Sequence, residues 1–204
     1  MKRIKLINNI KELTKNKSFW FCFIFLIIGV ILNQLSSLYI RNEYGDTLPI
    51  LHDLLLDVLP YYHIFWVFDL FALIAVVVFV YYGLSKKPES MPYFLLLIGI
   101  MQWLRTMFVV LTPFGHPNGS QEGILIGSAF RYGVYFSGHT GNTFLSFLLV
   151  EGRLWKWIFG VLTFLVVLFL LLGRGHYSVD IFTALIFVVA IWLVGERYLK
   201  KKFV

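Results

Sequence analysis

Six apolar runs, each close to the length of one membrane crossing, dominate the chain: residues 19–40, 61–83, 92–111, 135–150, 154–172 and 177–194. A bilayer core takes about 20 apolar residues per spanning helix. What lies between the runs is short. Gly, Pro, Asn and Ser gather at 41–60, 84–91, 113–133 and 173–175, where loops are needed. Composition agrees, since 59% hydrophobic and 14% charged residues are too apolar for a soluble domain of 204 residues. The expected fold class is all-α: a polytopic membrane protein, a six-transmembrane-helix bundle forming one domain over 1–204.

The basic start, MKRIKLINNIKELTKNK, resembles the head of a secretory signal. The run behind it is longer than a signal's apolar region, and no small-residue cleavage site follows, so a retained helix is expected. Fourteen of the 18 lysines and arginines fall in four segments: the arm 1–18, the Lys86–Lys87 loop, the Arg153/Lys156 loop and the C-terminal ERYLKKKFV. Six crossings put all four on one side, which the positive-inside rule makes cytoplasmic, so both termini are expected there. A net charge of +7 would suggest nucleic acid in a soluble chain. Here the excess flanks apolar runs, where it meets anionic lipid, and no nucleic-acid partner is expected. The single cysteine, Cys22, sits inside the first run and reads as a small buried apolar residue.

The opposite face holds the polar chemistry, within 101–184. Arg105 lies several residues inside MQWLRTMFVVLTP. An intramembrane arginine costs at least about 2.5 kcal/mol unless it snorkels or meets polar groups, so a cavity open to the outside is expected around it. YFSGHTGNTF places His139 at the head of the fourth run, behind Ser137, a candidate helix cap, and Gly138, which allows close approach of an anion to the backbone. GRGHYSVD brings Arg174, His176 and Asp180 to the head of the sixth. His176 and Asp180 are spaced i, i+4, so on a helix the carboxylate lies one turn from the imidazole and can fix its tautomer. That leaves one ring nitrogen as base or nucleophile, while His139 can supply a proton to a leaving alkoxide. Arg105, Arg131 and Arg174 offer planar donors for phosphate oxygens. These are the parts for phosphoryl transfer without a metal or cofactor. Each histidine taken alone could be a wet interfacial residue. A metal on His139, His176 and Asp180 would be repelled by the arginines. A transporter would need polar residues through the depth of the bundle.

SGHT followed some tens of residues later by HYSVD resembles the paired motifs of the sphingomyelin synthase family, a branch of the type 2 phosphatidic acid phosphatase superfamily. LRTMFVVLTPFGHP is similar to the arginine-containing segment ending in Leu-Thr-Pro that precedes the first histidine motif there. The wider superfamily shows Lys-x6-Arg-Pro, Pro-Ser-Gly-His and Ser-Arg-x5-His-x3-Asp. Arg105 stands at the lysine of the first pattern, with Thr112-Pro113 for Arg-Pro; Ser137-Gly138-His139 match the second, and His176 and Asp180 the end of the third. The resemblance implies a six-helix enzyme with both termini inside and a two-step mechanism. His176, oriented by Asp180, attacks phosphorus to give a phosphohistidine; His139 protonates the departing oxygen, and the arginines neutralise the phosphoryl oxygens. A membrane phospholipid is the donor, and a lipid hydroxyl or water the acceptor.

Departures bear on the second step. Where sphingomyelin synthases have Cys-Gly-Asp shortly before Ser-Gly-His-Thr, this chain has Arg131-Tyr132-Gly133. A carboxylate lost and a cation gained favour a phosphate monoester over a cationic head group. Arg174, two residues before His176 rather than six, points back to the synthase branch. Head-group transfer between lipids is the expected reaction, because the motif wording is closest to the synthases, and hydrolysis of a monoester such as phosphatidate is its near rival. A silent relative that only binds lipid is the reading from another class, in which His139→Ala and His176→Ala would leave function intact. In the first outer loop, LPILHDLLLDVLP reads as an interfacial amphipathic helix or a substrate gate, with Asp53 and Asp57 at i, i+4. Glu122 could contact an amine head group, and the tryptophans read as interfacial belt and packing. Short loops and a basic N-terminus suit a bacterial inner membrane, with the site on the non-cytoplasmic face.

Overall fold

The computed structural model describes residues 2–117 and 135–203, and every regular element among them is helical. In chain order the α-helices are α1 (Lys2–Lys15), α2 (Lys17–Tyr44), the short α3 (Leu54–Val58), α4 (Phe65–Lys86), α5 (Met91–Leu111), α6 (Gly138–Leu149), α7 (Arg153–Leu172), α8 (Ser178–Val194) and a last turn, α9 (Lys200–Phe203). Five stretches are long and apolar enough to cross a bilayer: Lys17–Tyr44, Trp66–Lys86, Pro88–Leu111, Arg153–Leu172 and Ser178–Phe203. They are compatible with a multi-pass membrane protein.

Local chemistry sets the ends of these helices. Asn16 separates the basic arm from α2 and caps it, its side chain accepting from the N–H groups of Ser18 at 2.8 Å and Phe19 at 3.4 Å. Gly45 ends α2 at a φ of 51°, a left-handed value that suits glycine. The fourth expected run departs from expectation. Over 135–150 the helix α6 occupies only 12 residues, about 18 Å. Residues 135–137 are non-helical, Ser137 starts the helix, and Val150 ends it in extended conformation. The polar head of the run is spent on a cap rather than on helix.

Short α6 sits centrally, packed on α4, α5, α7 and α8, while α2 lies along α5. Two glycines permit that second approach. A Cβ on Gly99 would lie 2.6 Å from Phe25 Cδ1, and one on Gly29 would lie 2.9 Å from Trp103 Cδ1. Trp103 then stacks on Phe25 at 5.5 Å between ring centroids and donates to the Phe25 carbonyl at 3.1 Å. The interior is built by Leu97, Met101, Phe136, Leu145, Phe159 and Val188, all fully buried. On α2, Phe21, Ile24, Ile28, Ile31 and Leu35 stay exposed. Their spacing of three and four residues makes one apolar face suited to lipid.

One end of the bundle is basic. Asn9 donates to the Leu84 carbonyl at 2.9 Å, tying α1 to the end of α4, and Lys87 pairs with Glu151 at 2.6 Å. Lys156 and Lys200 lie within electrostatic reach of Glu151. The four basic segments therefore share one end. At the other end, the loop 48–62 docks on the α7–α8 hairpin, with Tyr62 N–H on the Leu172 carbonyl at 2.9 Å and Leu51 N–H on the Tyr177 hydroxyl at 3.0 Å.

Candidate active site

The site begins where the chain enters α6. Ser137 caps the helix as its position suggested, accepting from Thr140 N–H at 3.3 Å, and its own N–H donates to the Asp180 carbonyl at 3.2 Å. This backbone bond sets the head of α6 against the first turn of α8. Arg105, expected in an open cavity, is buried, with 8% of its surface exposed. Its Nε donates to the Phe136 carbonyl at 2.9 Å and its Nη1 to Asn33 Oδ1 on α2. A Cβ at Gly138 would lie 3.2 Å from Arg105 Nε, so glycine lets the guanidinium lie against the α6 entry. Asn33 and a backbone carbonyl thus offset much of what an apolar environment charges for the cation.

His176 follows a tight exit from α7. Gly173 and Gly175 N–H groups donate to the Phe169 and Leu170 carbonyls at 2.9 and 2.8 Å, and Arg174 between them takes a φ of 49°. Sequence spacing expects His176 and Asp180 on one helix, but α8 starts only at Ser178. The contact forms nonetheless, because Asp180 in the first turn points back across the helix start. Its Oδ2 lies 3.1 Å from His176 Nδ1 and accepts Tyr177 N–H at 3.1 Å. A carboxylate on Nδ1 leaves Nε2 as the nitrogen with the free lone pair. His176 is 4% exposed. Burial first, then the neighbouring His139 and Arg105 charges, hold its imidazole well below the ordinary value of 6.5, against a smaller opposing effect of Asp69. At neutral pH it is uncharged, which leaves Nε2 its lone pair.

His139 stands opposite, its ring centroid 6.0 Å from that of His176. The sequence reading missed its partner. Asp69, from α4, places Oδ1 2.8 Å from His139 Nε2. An aspartate alone inside FWVFDLFALI is itself a signal, because an ionisable residue in a membrane run marks function by default. Phe68, next to it, packs edge-on against His139 at 5.5 Å. Gly175 makes room for that ring, since a Cβ there would lie 2.8 Å from Phe68 Cζ and 2.9 Å from Leu170 Cδ2. Gly175→Ala should therefore cost about 1–3 kcal/mol of stability and displace the Phe68 ring, read as a lower melting temperature together with a shifted His139 proton resonance.

The loop 48–62 holds the hairpin that carries His176. Asp53 caps α3 through Leu55 and Leu56 N–H at 3.0 and 3.2 Å. The same carboxylate accepts from Ser178 N–H at 2.6 Å and from its hydroxyl at 3.1 Å, so one side chain ties two helix starts together. Burial pushes the Asp53 carboxyl up, but the donors on Ser178, Leu56 and Leu55 outweigh it and leave it below its ordinary value. Asp53→Ala should lower stability by about 1–3 kcal/mol. Because the folded value is depressed, the Asp53 contribution is complete above the ordinary carboxylate range and is lost as pH falls through it. Thermal unfolding of wild type and variant at pH 7 and pH 3.5 checks this, with the gap between them shrinking at the lower pH.

Arg174 turns toward this loop, its Nη2 donating to the Leu56 carbonyl at 3.1 Å and its guanidinium lying 5.5 Å from the Tyr61 ring centre. Asp57 pairs with His52 at 3.1 Å on the exposed side. Arg131, Gly133 and Glu122 lie outside the described residues. Among the described residues no group of three or more His, Cys, Asp or Glu side chains has the arrangement of a metal site. The structure thus brings together His139, His176, Asp180, Ser137, Gly138 and Arg105, adds Asp69 and Asn33, and engages Arg174 with the loop 48–62.

Residues 134–197 match the family model described as PAP2 superfamily C-terminal. The matched stretch is just under a third of the chain and contains both histidines and Asp180. A comparison with curated proteins finds no match.

Proposed function

We propose that the chain is a membrane enzyme moving a phosphoryl-linked head group from a phospholipid to a lipid hydroxyl through a phosphohistidine, in the manner of the sphingomyelin synthases. The observation that carries this reading is the pair of facing imidazoles, 6.0 Å apart, each held by its own carboxylate. One imidazole is buried and neutral, suited to attack; the other is more open, with 32% of its side chain exposed, suited to proton exchange with a substrate.

In the first step His176 Nε2 attacks phosphorus as the bond to the donor's glyceryl oxygen breaks, and that oxygen takes a proton from His139. In the second, an acceptor hydroxyl attacks phosphorus, the P–N bond breaks, and His139 recovers the proton. Arg105 and Arg131, with the Ser137–Gly138 backbone, neutralise the phosphoryl oxygens, and Arg174 joins them by exchanging the Leu56 carbonyl for a phosphoryl oxygen, so no metal is invoked. This reading takes α6 as part of a sixth crossing, with both termini cytoplasmic and the histidines on the non-cytoplasmic face of a bacterial inner membrane.

Hydrolysis is the second reading, favoured by Arg131 and Gly133 where the synthases carry cysteine and aspartate. Water then replaces the lipid hydroxyl, and a monoester such as phosphatidate is the substrate. Proteoliposomes holding phosphorus-labelled phosphatidate and phospholipids, with diacylglycerol and ceramide present, separate the two. Label in a new lipid, absent with His176→Ala, supports transfer, whereas label released as inorganic phosphate identifies a phosphatase. Neither product from active-site-intact protein would sink both.

A further inference from the structure

The basic end carries a second feature, an apolar groove with cations at its rim, far from the histidines. A groove of about 470 Å³ runs between α6 and α7, lined by Phe147, Arg153, Lys156, Trp157, Gly160, Val161 and Phe164. Arg153, Trp157, Gly160, Val161 and Phe164 recur at helical spacing, so they form one stripe of α7. Gly160 keeps it open, since a Cβ there would already lie 3.6 Å from Phe147 Cε2 and a larger side chain would fill the gap.

The two cations differ in role. Lys156 is turned inward, donating to the Phe147 and Leu148 carbonyls at 2.6 and 3.0 Å and lying 4.9 Å from the Phe147 ring centre. It closes the end of α6. Arg153 is exposed at the mouth. Below it Trp157, Val161 and Phe164 are 64%, 49% and 64% exposed. The stripe from Arg153 to Phe164 covers about 16 Å, the depth of about one leaflet of hydrocarbon. A guanidinium above an apolar trough one leaflet deep matches a phosphate above an acyl chain, and basic pockets between spanning helices bind anionic head groups in this way.

We propose that the α6–α7 groove is a binding site for one anionic phospholipid of the leaflet on the basic side, its phosphate on Arg153 and one acyl chain along Trp157, Gly160, Val161 and Phe164. Such a lipid braces α6, the helix whose other end carries His139. The site is separate from the proposed chemistry and stands or falls without it.

The test measures lipid retention, not turnover. Protein reconstituted into vesicles of equal parts phosphatidylglycerol and phosphatidylcholine is released into detergent, and the lipids still bound are identified by native mass spectrometry. Wild type should keep phosphatidylglycerol in preference to phosphatidylcholine. Arg153→Gln should reduce that preference about tenfold, the effect of one charge-assisted hydrogen bond, while Lys201→Gln, an exposed cation elsewhere on the same end, should not. Gly160→Leu should lose the bound lipid altogether. No preference in wild type, or an Arg153→Gln variant that keeps it as fully as Lys201→Gln does, overturns the proposal. Lipid held in the histidine site would be indifferent to Arg153, so the two sources are told apart.

Discussion

His176→Ala is expected to lower phosphoryl transfer by at least about 10³-fold, with lipid or water as acceptor. In both proposed reactions the imidazole is the attacking group. Asp180 faces Nδ1 and the Tyr177 N–H, so it lies behind the ring, and Arg105 has no lone pair to give. The wild type should therefore carry phosphorus label after a brief exposure to donor, as an acid-labile, base-stable adduct, and the variant should carry none. Adduct formation in the variant would remove His176 from the mechanism. The same substitution has a signature independent of turnover. Burial and the neighbouring charges hold His176 well below the ordinary 6.5 in the folded protein, so the unfolded chain binds a proton there first as the solution is acidified. Stability is accordingly lost from about pH 6.5 downward toward the folded value. In the alanine variant that part of the acid loss should vanish, seen as a smaller fall in melting temperature between pH 7.5 and pH 5.5.

Much of this site could be read before any coordinates, and the parts that could not share a physical cause. The apolar runs gave the helices because hydrocarbon length is a one-dimensional property of sequence. The run 135–150 was the exception, since its polar head could be read as the start of a crossing or as a cap, and Ser137 settled it as a cap. The pairing of His176 with Asp180 was legible from spacing even though the helix begins two residues later than that spacing assumed. Spacing says nothing about partners from other helices. Asn33 on α2 and Asp69 on α4 reach Arg105 and His139 across 72 and 70 residues of chain. Asp69 still left a trace. Like Arg105, it is a charge inside an apolar run. Asp53 left less, because only the folded loop shows that its carboxylate meets Ser178 from 125 residues away.

Asp69 makes the sharper mechanistic test, because its partner's role can be bypassed chemically. A glyceryl or other alkyl oxygen is a poor leaving group and needs a proton as the P–O bond breaks, whereas a nitrophenyl oxygen leaves without one. If His139 is the proton donor, His139→Ala should slow transfer from a phospholipid by about 10²–10⁴-fold, and a short-chain nitrophenyl phosphodiester donor should recover most of that loss. Asp69→Asn should follow the same pattern more weakly, by about 10²-fold on the phospholipid, because the amide keeps the shape at 2.8 Å from His139 Nε2 but no longer stabilises the charged ring. Asp69→Glu should restore part of the rate. A merely structural role for Asp69 would give equal losses on both donors. The leaving-group dependence is also what separates the two histidines: His176→Ala should be silent with either donor, because attack on phosphorus is needed however good the leaving group. Equal sensitivity of the two histidine variants to the nitrophenyl donor would reverse or erase the assignment of nucleophile and acid, whereas rescue confined to His139 and Asp69 would place both at the departing oxygen.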